Sequence, residues 1–210
     1  MNFVKTKDGS FTAYNNRFKE HYHSISGAME EAREKYVKPL GIKDEMTILD
    51  FCFGLGYNSF AAIYNRKKLS ITALENDIEI LKSISEITPP PQLKEIFSIF
   101  KNIYKIKKIE DRNRNRINLI VQDAKKSIRE LSSDQFDRVF FDPFSPKKIP
   151  DLWSKEVFTN IYRLLKVKGK LATYSCDQNI RKNMEFAGFT VKDGPCIGRK
   201  SPSTIALKNK

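Results

Sequence analysis

Carboxylates end several apolar segments of this 210-residue chain, where they could bind polar ligands. The segment TILD ends on Asp50, ITALE ends on Glu75, LIVQD ends on Asp123 and DRVFFD ends on Asp142. Acids at such positions can accept hydrogen bonds from a ribose or an amino group, and one beside a reacting group can act as a general base. The pattern predicts a nucleoside site with a catalytic acid, Asp142, next to it.

A turn with two glycines follows the first of these acids. The pattern D-x-C-x-G-x-G, residues 50–56, matches the D/E-x-G-x-G-x-G turn of enzymes that use S-adenosylmethionine, with Cys52 in place of the first glycine. Glycine lets a backbone approach a cofactor closely. The candidate cofactor-binding residues of this turn are Asp50, Phe53, Gly54, Gly56 and Asn58. The alternative is a turn that needs glycine only to reverse the chain.

The next two acids could bind the ribose and the base of a nucleoside. Glu75 follows the glycines by about twenty residues, the spacing at which an acid accepts both ribose hydroxyls. Asp123 stands where a carboxylate can accept the amino group of adenine. The sequence lacks the GxxxxGK[ST] pattern of a phosphate-binding loop. We therefore predict that S-adenosylmethionine is the cofactor.

The segment DPFSPKKIPDLW, which begins at Asp142, has the residue types of an acceptor pocket. A carboxylate can align an amine and accept its proton. Phe144 and Trp153 could stack on an extruded base, and Lys147 and Lys148 could contact the phosphates beside it. The alternative is a proline-rich turn whose aromatic side chains fill the core.

Apolar segments and helical patterns alternate from residue 46 to the C-terminus. This alternation predicts an α/β, doubly wound, Rossmann-like fold with a mostly parallel sheet. The two final apolar segments predict a C-terminal antiparallel hairpin, which favours the seven-stranded methyltransferase variant over a dehydrogenase. We expect residues 1–45 to form an arm and a helix, and residues 46–210 to form the core. Residues 88–115 interrupt the rhythm as a helical and basic insertion, either packed on the core or contacting RNA.

The composition of the chain limits the classes of molecule that it could bind and the place where it acts. The chain carries 38 Lys and Arg against 25 Asp and Glu, a net charge of +13, which favours a polyanion such as nucleic acid. No apolar stretch reaches the roughly 20 residues of a membrane helix, and the N-terminus lacks the apolar region of a signal peptide. The 3 cysteines form no CxxC pair, so we expect no metal site and a cytoplasmic location.

The chain resembles the methyltransferase domain of the tRNA 5-methylaminomethyl-2-thiouridine biosynthesis proteins, the MnmC-like family. The resemblance rests on DPFSPKKIPDLW, on KGKLATYSC, on IRKNMEFAGF and on PCIGRKSPS, and it extends from residue 24 to the C-terminus around the 88–115 segment. Two residues depart from the family pattern: Cys52 replaces a glycine, and a proline follows Asp142 where a glycine is usual.

The resemblance implies a reaction and its residues. S-adenosylmethionine would methylate the exocyclic aminomethyl nitrogen at C5 of the wobble uridine of tRNA. Asp142 would be the acid of the acceptor site, with Phe144 beside it. The family also places an aromatic-rich arm near the cofactor, which adds Tyr22 and His23 as candidates. Bifunctional members carry an FAD-dependent oxidase, for which this chain has no room, so we expect a stand-alone methyltransferase, favoured as a monomer.

The anticodon backbone has its own candidate contacts. Arg199 and Lys200 lie in the basic segment GRKSPS before the last strand, where the alternative is a basic hairpin turn. Three other functions stay open at this point. They are an N-methyltransferase for a DNA base, a protein or a small amine, a catalytically silent RNA-binding module, and an aminopropyltransferase of the spermidine synthase type.

Overall fold

A computed structural model describes residues 1–89, 94–198 and 200–210 of the chain. The strands are β1 (Asn2–Lys5), β2 (Phe11–Asn15), β3 (Glu20–His21), β4 (Thr47–Phe51), β5 (Ser70–Glu75), β6 (Lys108–Glu110), β7 (Arg116–Val121), β8 (Phe136–Phe141), β9 (Leu165–Thr173), β10 (Thr190–Asp193) and β11 (Thr204–Leu207). The helices are α1 (Ala28–Glu31), α2 (Lys38–Leu40), α3 (Tyr57–Ile63), α4 (Ile78–Ser83), α5 (Lys94–Phe100), α6 (Ile103–Ile106), α7 (Ala124–Glu130), α8 (Lys155–Leu164) and α9 (Gln178–Phe186). A π-helical segment, Ala32–Val37, joins α1 to α2, and short 3-10 helices cover Ile84–Glu86 and Pro150–Trp153.

The main sheet has 8 strands in the order β10-β11-β9-β8-β4-β5-β7-β6. The pairs from β9 to β7 are parallel, and β11 and β10 form an antiparallel hairpin beside β9. The chain moves outward from β4 through β5 to β7, and then returns to place β8 on the other side of β4. A ligand site in such a sheet lies at this change of direction, beyond the carboxyl ends of the strands.

Both faces of the sheet are covered, as the apolar segments predicted. One buried cluster joins the sheet to α3, to the Ala28–Leu40 helical region and to β2, and includes Tyr36 and Phe60. The other joins it to α7, α8 and α9 and includes Phe141, Trp153 and Phe158. The predicted α/β fold with a mostly parallel sheet and a C-terminal hairpin is confirmed. The division of the chain at residue 45 stays a prediction.

The helices begin where side chains satisfy their free backbone N–H groups. Asp77 caps α4, Asp123 caps α7, Ser154 caps α8 and Asp177 caps α9, each accepting a hydrogen bond from the first turn of its helix. Two of these caps, Asp77 and Asp123, also follow strands of the sheet. The caps therefore place carboxylates at the strand ends.

The segment at 88–115 adds a strand that the sequence pattern did not predict. Its described part forms α5, α6 and β6, and β6 pairs antiparallel with β7 at the sheet edge. This raises the strand count from the expected seven to 8. Phe97 and Phe100 are fully buried, with their rings 4.7 and 4.1 Å from that of Phe60. The helical part is thus packed on the core.

The N-terminal residues form a separate 3-stranded sheet, β1-β2-β3, where the sequence predicted an arm. Ala13 of β2 is fully buried, and the phenol oxygen of Tyr57 in α3 accepts a hydrogen bond from the Phe11 N–H at 3.0 Å. These contacts fix the small sheet against the glycine turn. Within the described residues, no helix is long and apolar enough to span a bilayer.

Candidate functional site

A pocket of about 1470 Å³ opens at the carboxyl ends of β4, β5, β7 and β8. Gly54, Glu75, Asp123 and Asp142 line it, so the fold brings together acids that are far apart in the sequence. The N-terminal arm and the segment after Asp142 complete its walls. The pocket coincides with the change of direction between β4 and β8, where a ligand is expected.

The turn after β4 keeps a glycine-like backbone although it begins with cysteine. Cys52 has a φ of +67°, in the left-handed region that favours glycine. Its side chain lines the pocket, and burial raises the pKa of the thiol well above its ordinary value, which nearby acids raise further. The substitution therefore preserves the turn and leaves a neutral thiol in the pocket.

Glycine is needed at the two positions of the turn for different reasons. A Cβ at Gly54 would lie 3.3 Å from Cδ1 of Tyr22, so glycine here leaves a narrow space at the pocket wall. A Cβ at Gly56 would lie 2.5 Å from Cζ of Phe53 and 2.8 Å from Cζ of Phe60. Gly56 thus serves packing beneath the turn, while Gly54 lies at the pocket.

Phe53 requires a correction. The sequence pattern placed it among the cofactor-binding residues, but its side chain is 1% exposed and points into the core, where its ring meets that of Phe60 at 6.3 Å. An apolar ring next to a glycine turn is more stable in the core than in a polar pocket. A side-chain contact of Phe53 with a cofactor is therefore excluded.

Asp50 and Asn58 support the turn from below. Asp50 is fully buried, accepts a hydrogen bond from Ser59 Oγ at 2.6 Å, and has a pKa raised to about 8 because burial disfavours its charge. Asp50 Oδ1 and Asn58 Oδ1 are buried without hydrogen-bond partners among the described residues. Their direct contact with a cofactor stays a prediction.

Glu75 links β5 to the glycine turn. Its carboxylate accepts hydrogen bonds from the N–H groups of Gly54 at 2.8 Å, Asn76 at 2.9 Å and Asp77 at 2.8 Å. Burial raises the pKa of Glu75, and these three N–H groups counteract that rise. The acid is thus held rigidly beside Gly54, as an acid that reads a ribose must be.

Asp142 is held by two donors from different elements. Tyr36 Oη donates to its Oδ1 at 2.6 Å, and Asn58 Nδ2 donates to its Oδ2 at 2.9 Å. Removal from water raises the pKa of Asp142 to about 7, Glu31 raises it further, and the two hydrogen bonds counteract that rise. A carboxylate with a pKa near 7 can exchange a proton at neutral pH.

The arm closes the cofactor side of the pocket through Tyr22. Tyr22 Oη donates to Asp77 Oδ2 at 2.7 Å and accepts from Asn15 Nδ2 at 2.9 Å, while the ring lies against Gly54. Burial and the Asp77 carboxylate raise the pKa of the phenol. The position of Tyr22 agrees with the predicted cofactor contact, which stays a prediction.

The arm also holds the loop after β8. The backbone N–H of Ser145 donates to Glu20 Oε2 at 3.0 Å, and the Ser145 hydroxyl donates to Glu20 Oε1. The Phe144 ring lies 4.8 Å from that of Phe18 and 4.9 Å from that of Tyr22. Phe144 is partly exposed and lines the pocket, where a base could stack.

Trp153 does not lie in the pocket wall. It is 1% exposed, its Nε1–H donates to the Phe144 carbonyl at 2.9 Å, and its ring packs against those of Phe141 and Tyr174. The prediction that Trp153 stacks on a base is therefore wrong. The indole fills the core and fixes the loop that carries Phe144, since a large aromatic ring gains more from burial than from the surface.

The basic residues divide into those at the pocket and those away from it. Lys148 lines the pocket together with Arg17 and Lys126, and none of the three has an ion-pair partner in the described part of the chain. Lys147 and Lys200 are exposed outside the pocket lining. Arg199 lies outside the described residues. The pocket lining thus carries basic side chains together with acidic ones.

Sequence reasoning missed Tyr36, Glu20, Ser145 and Asp77. Tyr36 and Asp142 are 106 positions apart, and Glu20 and Ser145 are 125 apart, so no local spacing links them. Asp77 could have been found, because ENDIEILK carries the signal of a capped helix start directly after a strand. Among the described residues, no group of three or more His, Cys, Asp or Glu side chains could hold a metal ion.

Comparison with known proteins gives consistent relatives. Residues 91–209 match a family described as S-adenosyl-L-methionine-dependent methyltransferase. An uncharacterized protein of Methanocaldococcus jannaschii is 34% identical over 98% of this chain and 59% of that protein. The tRNA 5-methylaminomethyl-2-thiouridine biosynthesis bifunctional protein MnmC of Leptospira borgpetersenii is 27% identical over 90% of this chain and 32% of that protein.

One solved structure is similar over the whole length of the chain. The crystal structure of MNMC2 from Aquifex aeolicus superposes with a TM-score of 0.85 at 30% identity, and the match covers 100% of this chain and 71% of that one. The chain spans only 59% of the Methanocaldococcus protein and 32% of the Leptospira protein.

Proposed function

This chain belongs to the S-adenosyl-L-methionine-dependent methyltransferases and is related to MnmC, and from that premise we propose that it methylates tRNA. The proposed acceptor is the exocyclic aminomethyl nitrogen at C5 of the wobble uridine in the anticodon stem-loop, and the product is 5-methylaminomethyluridine or its 2-thio form. The observation that carries the proposal is a pocket in which Asp142 is held by Tyr36 and Asn58 at the end of β8, within a lining that also carries basic side chains.

The glycine turn fits the cofactor. Gly54 leaves space at the pocket wall that a Cβ would fill. Gly54, Glu75 and Asp123 would hold S-adenosylmethionine, with Tyr22 closing over the turn. Bound there, the cofactor supplies an electrophilic methyl group on a sulfonium sulfur.

The chain's acids suit an amine acceptor. An alkyl ammonium has a pKa near ~10 and must lose a proton before its nitrogen can attack. Glu31 lines the pocket, where it accepts hydrogen bonds from Lys35 Nζ at 2.5 Å and from the Ser24 N–H at 2.8 Å, so Lys35 balances its charge. Asp142 would accept the proton before the attack, and the neutral nitrogen would then bond to the methyl carbon as the bond from that carbon to sulfur breaks.

The raised pKa of Asp142 makes that proton transfer less unfavourable. An ordinary aspartate, with a pKa of 3.8, would be a much weaker base than the amine, whereas Asp142 has a pKa of about 7. The raised pKa therefore brings Asp142 closer in base strength to the amine. Tyr36 and Asn58 keep the carboxylate charged enough to serve as the base, because both donate hydrogen bonds to it.

The basic residues around the pocket suit a polyanionic substrate such as tRNA. Arg17, Lys126 and Lys148 line it without ion-pair partners in the described ranges, and the net charge of the chain is +13. Phosphates on either side of an extruded nucleotide can contact such cations while its base stacks on an aromatic ring. Phe144 is the ring positioned for that contact.

The test is transfer of labelled methyl from S-adenosylmethionine to three acceptors. They are tRNA with 5-aminomethyluridine at the wobble position, an unmodified transcript and duplex DNA, each digested and separated by nucleoside mass spectrometry. We expect label only in 5-methylaminomethyluridine. Label in DNA or in the unmodified transcript would overturn the substrate. An absence of label in all three, with the cofactor still bound, would indicate another amine acceptor.

The variant Asp142→Asn tests the base. We expect its rate of methyl transfer to fall by about 10²- to 10⁴-fold while cofactor affinity is retained, because a general base contributes that much. The matched control is Asp44→Asn, an exposed acid outside the pocket, which should leave the rate unchanged.

A further inference from the structure

His23 stands at the cofactor pocket with no hydrogen bond to its ring. It lies two residues after β3, lines the pocket and is 7% exposed. Its Nδ1 is buried without a partner, and no other described residue hydrogen-bonds to the imidazole. The ring lines the pocket and no group of the described residues occupies its Nε2, so that nitrogen is free to bond a ligand.

The surroundings fix the ring in place. The His23 N–H donates to Thr12 Oγ1 at 2.9 Å, and the His23 carbonyl accepts from the same hydroxyl at 3.1 Å. The ring packs edge-on against Tyr57, with ring centroids 5.0 Å apart. The imidazole is thus preorganised by contacts that use the backbone and the ring edge, and its Nε2 stays available.

The protonation of the ring follows from its burial. Removal from water lowers the pKa of His23 to about 4, so the imidazole is neutral at physiological pH. A neutral imidazole has one N–H and one acceptor nitrogen. A proton on the enclosed Nδ1 would leave an orphaned donor, which is rarer in proteins than an orphaned acceptor. The preferred tautomer therefore carries its proton on Nε2 and offers one donor.

The position of His23 relates that donor to the glycine turn. A Cβ at Gly54 would lie 3.8 Å from His23 Cε1, and the Gly54 N–H donates to Glu75. The ribose-reading acid and the imidazole therefore contact the same glycine. The side chains Glu31, Glu75 and Asp142, which line the pocket nearby, are acceptors and would repel a carboxylate. A carboxylate-bearing cofactor needs a donor here, and His23 supplies one.

We propose that the His23 N–H binds the α-carboxylate of the methionine moiety of S-adenosylmethionine, and that His23 thereby selects the carboxylated cofactor over its decarboxylated form. This inference concerns only the cofactor and does not depend on tRNA as the acceptor. His23 acts in binding and takes no part in the transfer of the methyl group.

Calorimetric titration with three ligands tests the proposal. S-adenosylmethionine carries the α-carboxylate, decarboxylated S-adenosylmethionine lacks only that group, and 5′-methylthioadenosine lacks the whole amino-acid moiety. We expect His23→Phe, which keeps a buried ring and removes the N–H, to weaken S-adenosylmethionine about 10- to 100-fold, as expected for a hydrogen bond to a charged group. The affinities for the other two ligands should stay within about twofold.

The control comes from β3 and the rescue from position 23 itself. His21→Phe changes a second histidine of the pocket lining, whose ring packs on Tyr14, and it should leave the relative affinities for the three ligands unchanged. His23→Gln retains an N–H donor and should keep most of the preference for the carboxylated cofactor. Thermal unfolding without ligand establishes that each variant is folded, and His23→Leu replaces His23→Phe if the larger ring prevents folding.

Three results would overturn the proposal. Equal weakening of all three ligands by His23→Phe would show a purely structural role. If His23→Phe weakened S-adenosylmethionine and its decarboxylated form equally, and left 5′-methylthioadenosine unchanged, His23 would instead contact the amino group that the first two ligands share. Unchanged affinity for S-adenosylmethionine in a folded His23→Phe or His23→Leu variant would show that the ring does not contact the cofactor.

Discussion

Tyr36 Oη lies 2.6 Å from Asp142 Oδ1, although the two residues are 106 positions apart. Tyr36 is fully buried in the π-helical segment of the Ala28–Leu40 region, and burial raises the pKa of its phenol far above the ordinary value. The phenol therefore stays protonated, and remains a donor, at neutral pH. This contact connects a helix outside the sheet to the acid at the end of β8.

The Tyr36 contact predicts a shift in the pH profile. Because the phenol stabilises the charged carboxylate, Tyr36→Phe should raise the pKa of Asp142 above about 7. Methyl transfer needs the deprotonated acid, so the acid limb of kcat should move to higher pH by about one unit. At pH values well above that limb, kcat should approach that of the wild type. Single-turnover rates from pH 5.5 to 9.5 measure this.

Tyr162→Phe is the matched control for that profile. The Tyr162 hydroxyl donates to the Lys210 carbonyl at 3.0 Å, away from the pocket, so this variant loses a tyrosine hydroxyl without touching Asp142. Its pH profile should match that of the wild type. A Tyr36→Phe profile lowered equally at all pH values would mean that Tyr36 acts through packing alone.

Glu20 and Ser145 predict a measurable coupling between the arm and the acceptor loop. The hydroxyl of Ser145 donates to the Glu20 carboxylate in a partly buried site. A double-mutant cycle of Glu20→Ala and Ser145→Ala on the free energy of unfolding should give a coupling of about 1–3 kcal/mol, since the acceptor is charged. The exposed ion pair of Arg129 with Glu156 provides the comparison and should couple by less than about 1 kcal/mol. If the two pairs gave equal coupling free energies, Glu20 and Ser145 would not link the arm to the acceptor loop.

At position 52 we expect the glycine variant to be more stable than the alanine variant, the reverse of the usual order. Its φ of +67° lies in the left-handed region, where a Cβ costs about 1–2 kcal/mol. Cys52→Gly should therefore unfold with a free energy about 0.5–1 kcal/mol higher than Cys52→Ala, after allowance for the greater chain entropy of glycine. Urea unfolding of the two variants measures the difference.

Cys176 provides the opposite case within the same chain. Its φ is not positive, so Cys176→Gly should be less stable than Cys176→Ala. If both cysteine positions favoured alanine, the strain assigned to Cys52 would be absent. At each position both variants lack the thiol, so the difference between glycine and alanine reports only the cost of the backbone conformation.

Lys148 predicts the salt dependence of tRNA binding. If it contacts one phosphate, Lys148→Gln should reduce the slope of log K against log[salt] by about 0.7–0.9, the contribution of one released counterion. Lys168→Gln changes an exposed lysine near the start of β9, at the opposite end of the sheet from the pocket, and should leave the slope unchanged. Equal slopes for both variants would exclude a phosphate contact by Lys148.

Much of the fold could be predicted because its signals are local. Apolar segments such as TILD and FDRVFF became β4 and β8, and the helical patterns that alternate with the predicted strands became α3, α4, α7, α8 and α9. The edge strand β6 could not be predicted, because KIE has no apolar pattern and pairs only through the presence of β7. An edge strand gains its stability from a partner strand, and that partner is not local in sequence.

The sequence by itself determined the order of the strands and helices and the acids at the strand ends, because hydrophobic period and helix caps act over a few residues. Only the tertiary structure decided the roles of the remaining residues: Trp153 in the core, Gly56 for packing, and Tyr36 on Asp142. These roles depend on contacts between segments up to 106 positions apart and on the burial that those contacts create. Burial changes the free energy of a charge or a ring by several kcal/mol, and only the complete packing sets that burial.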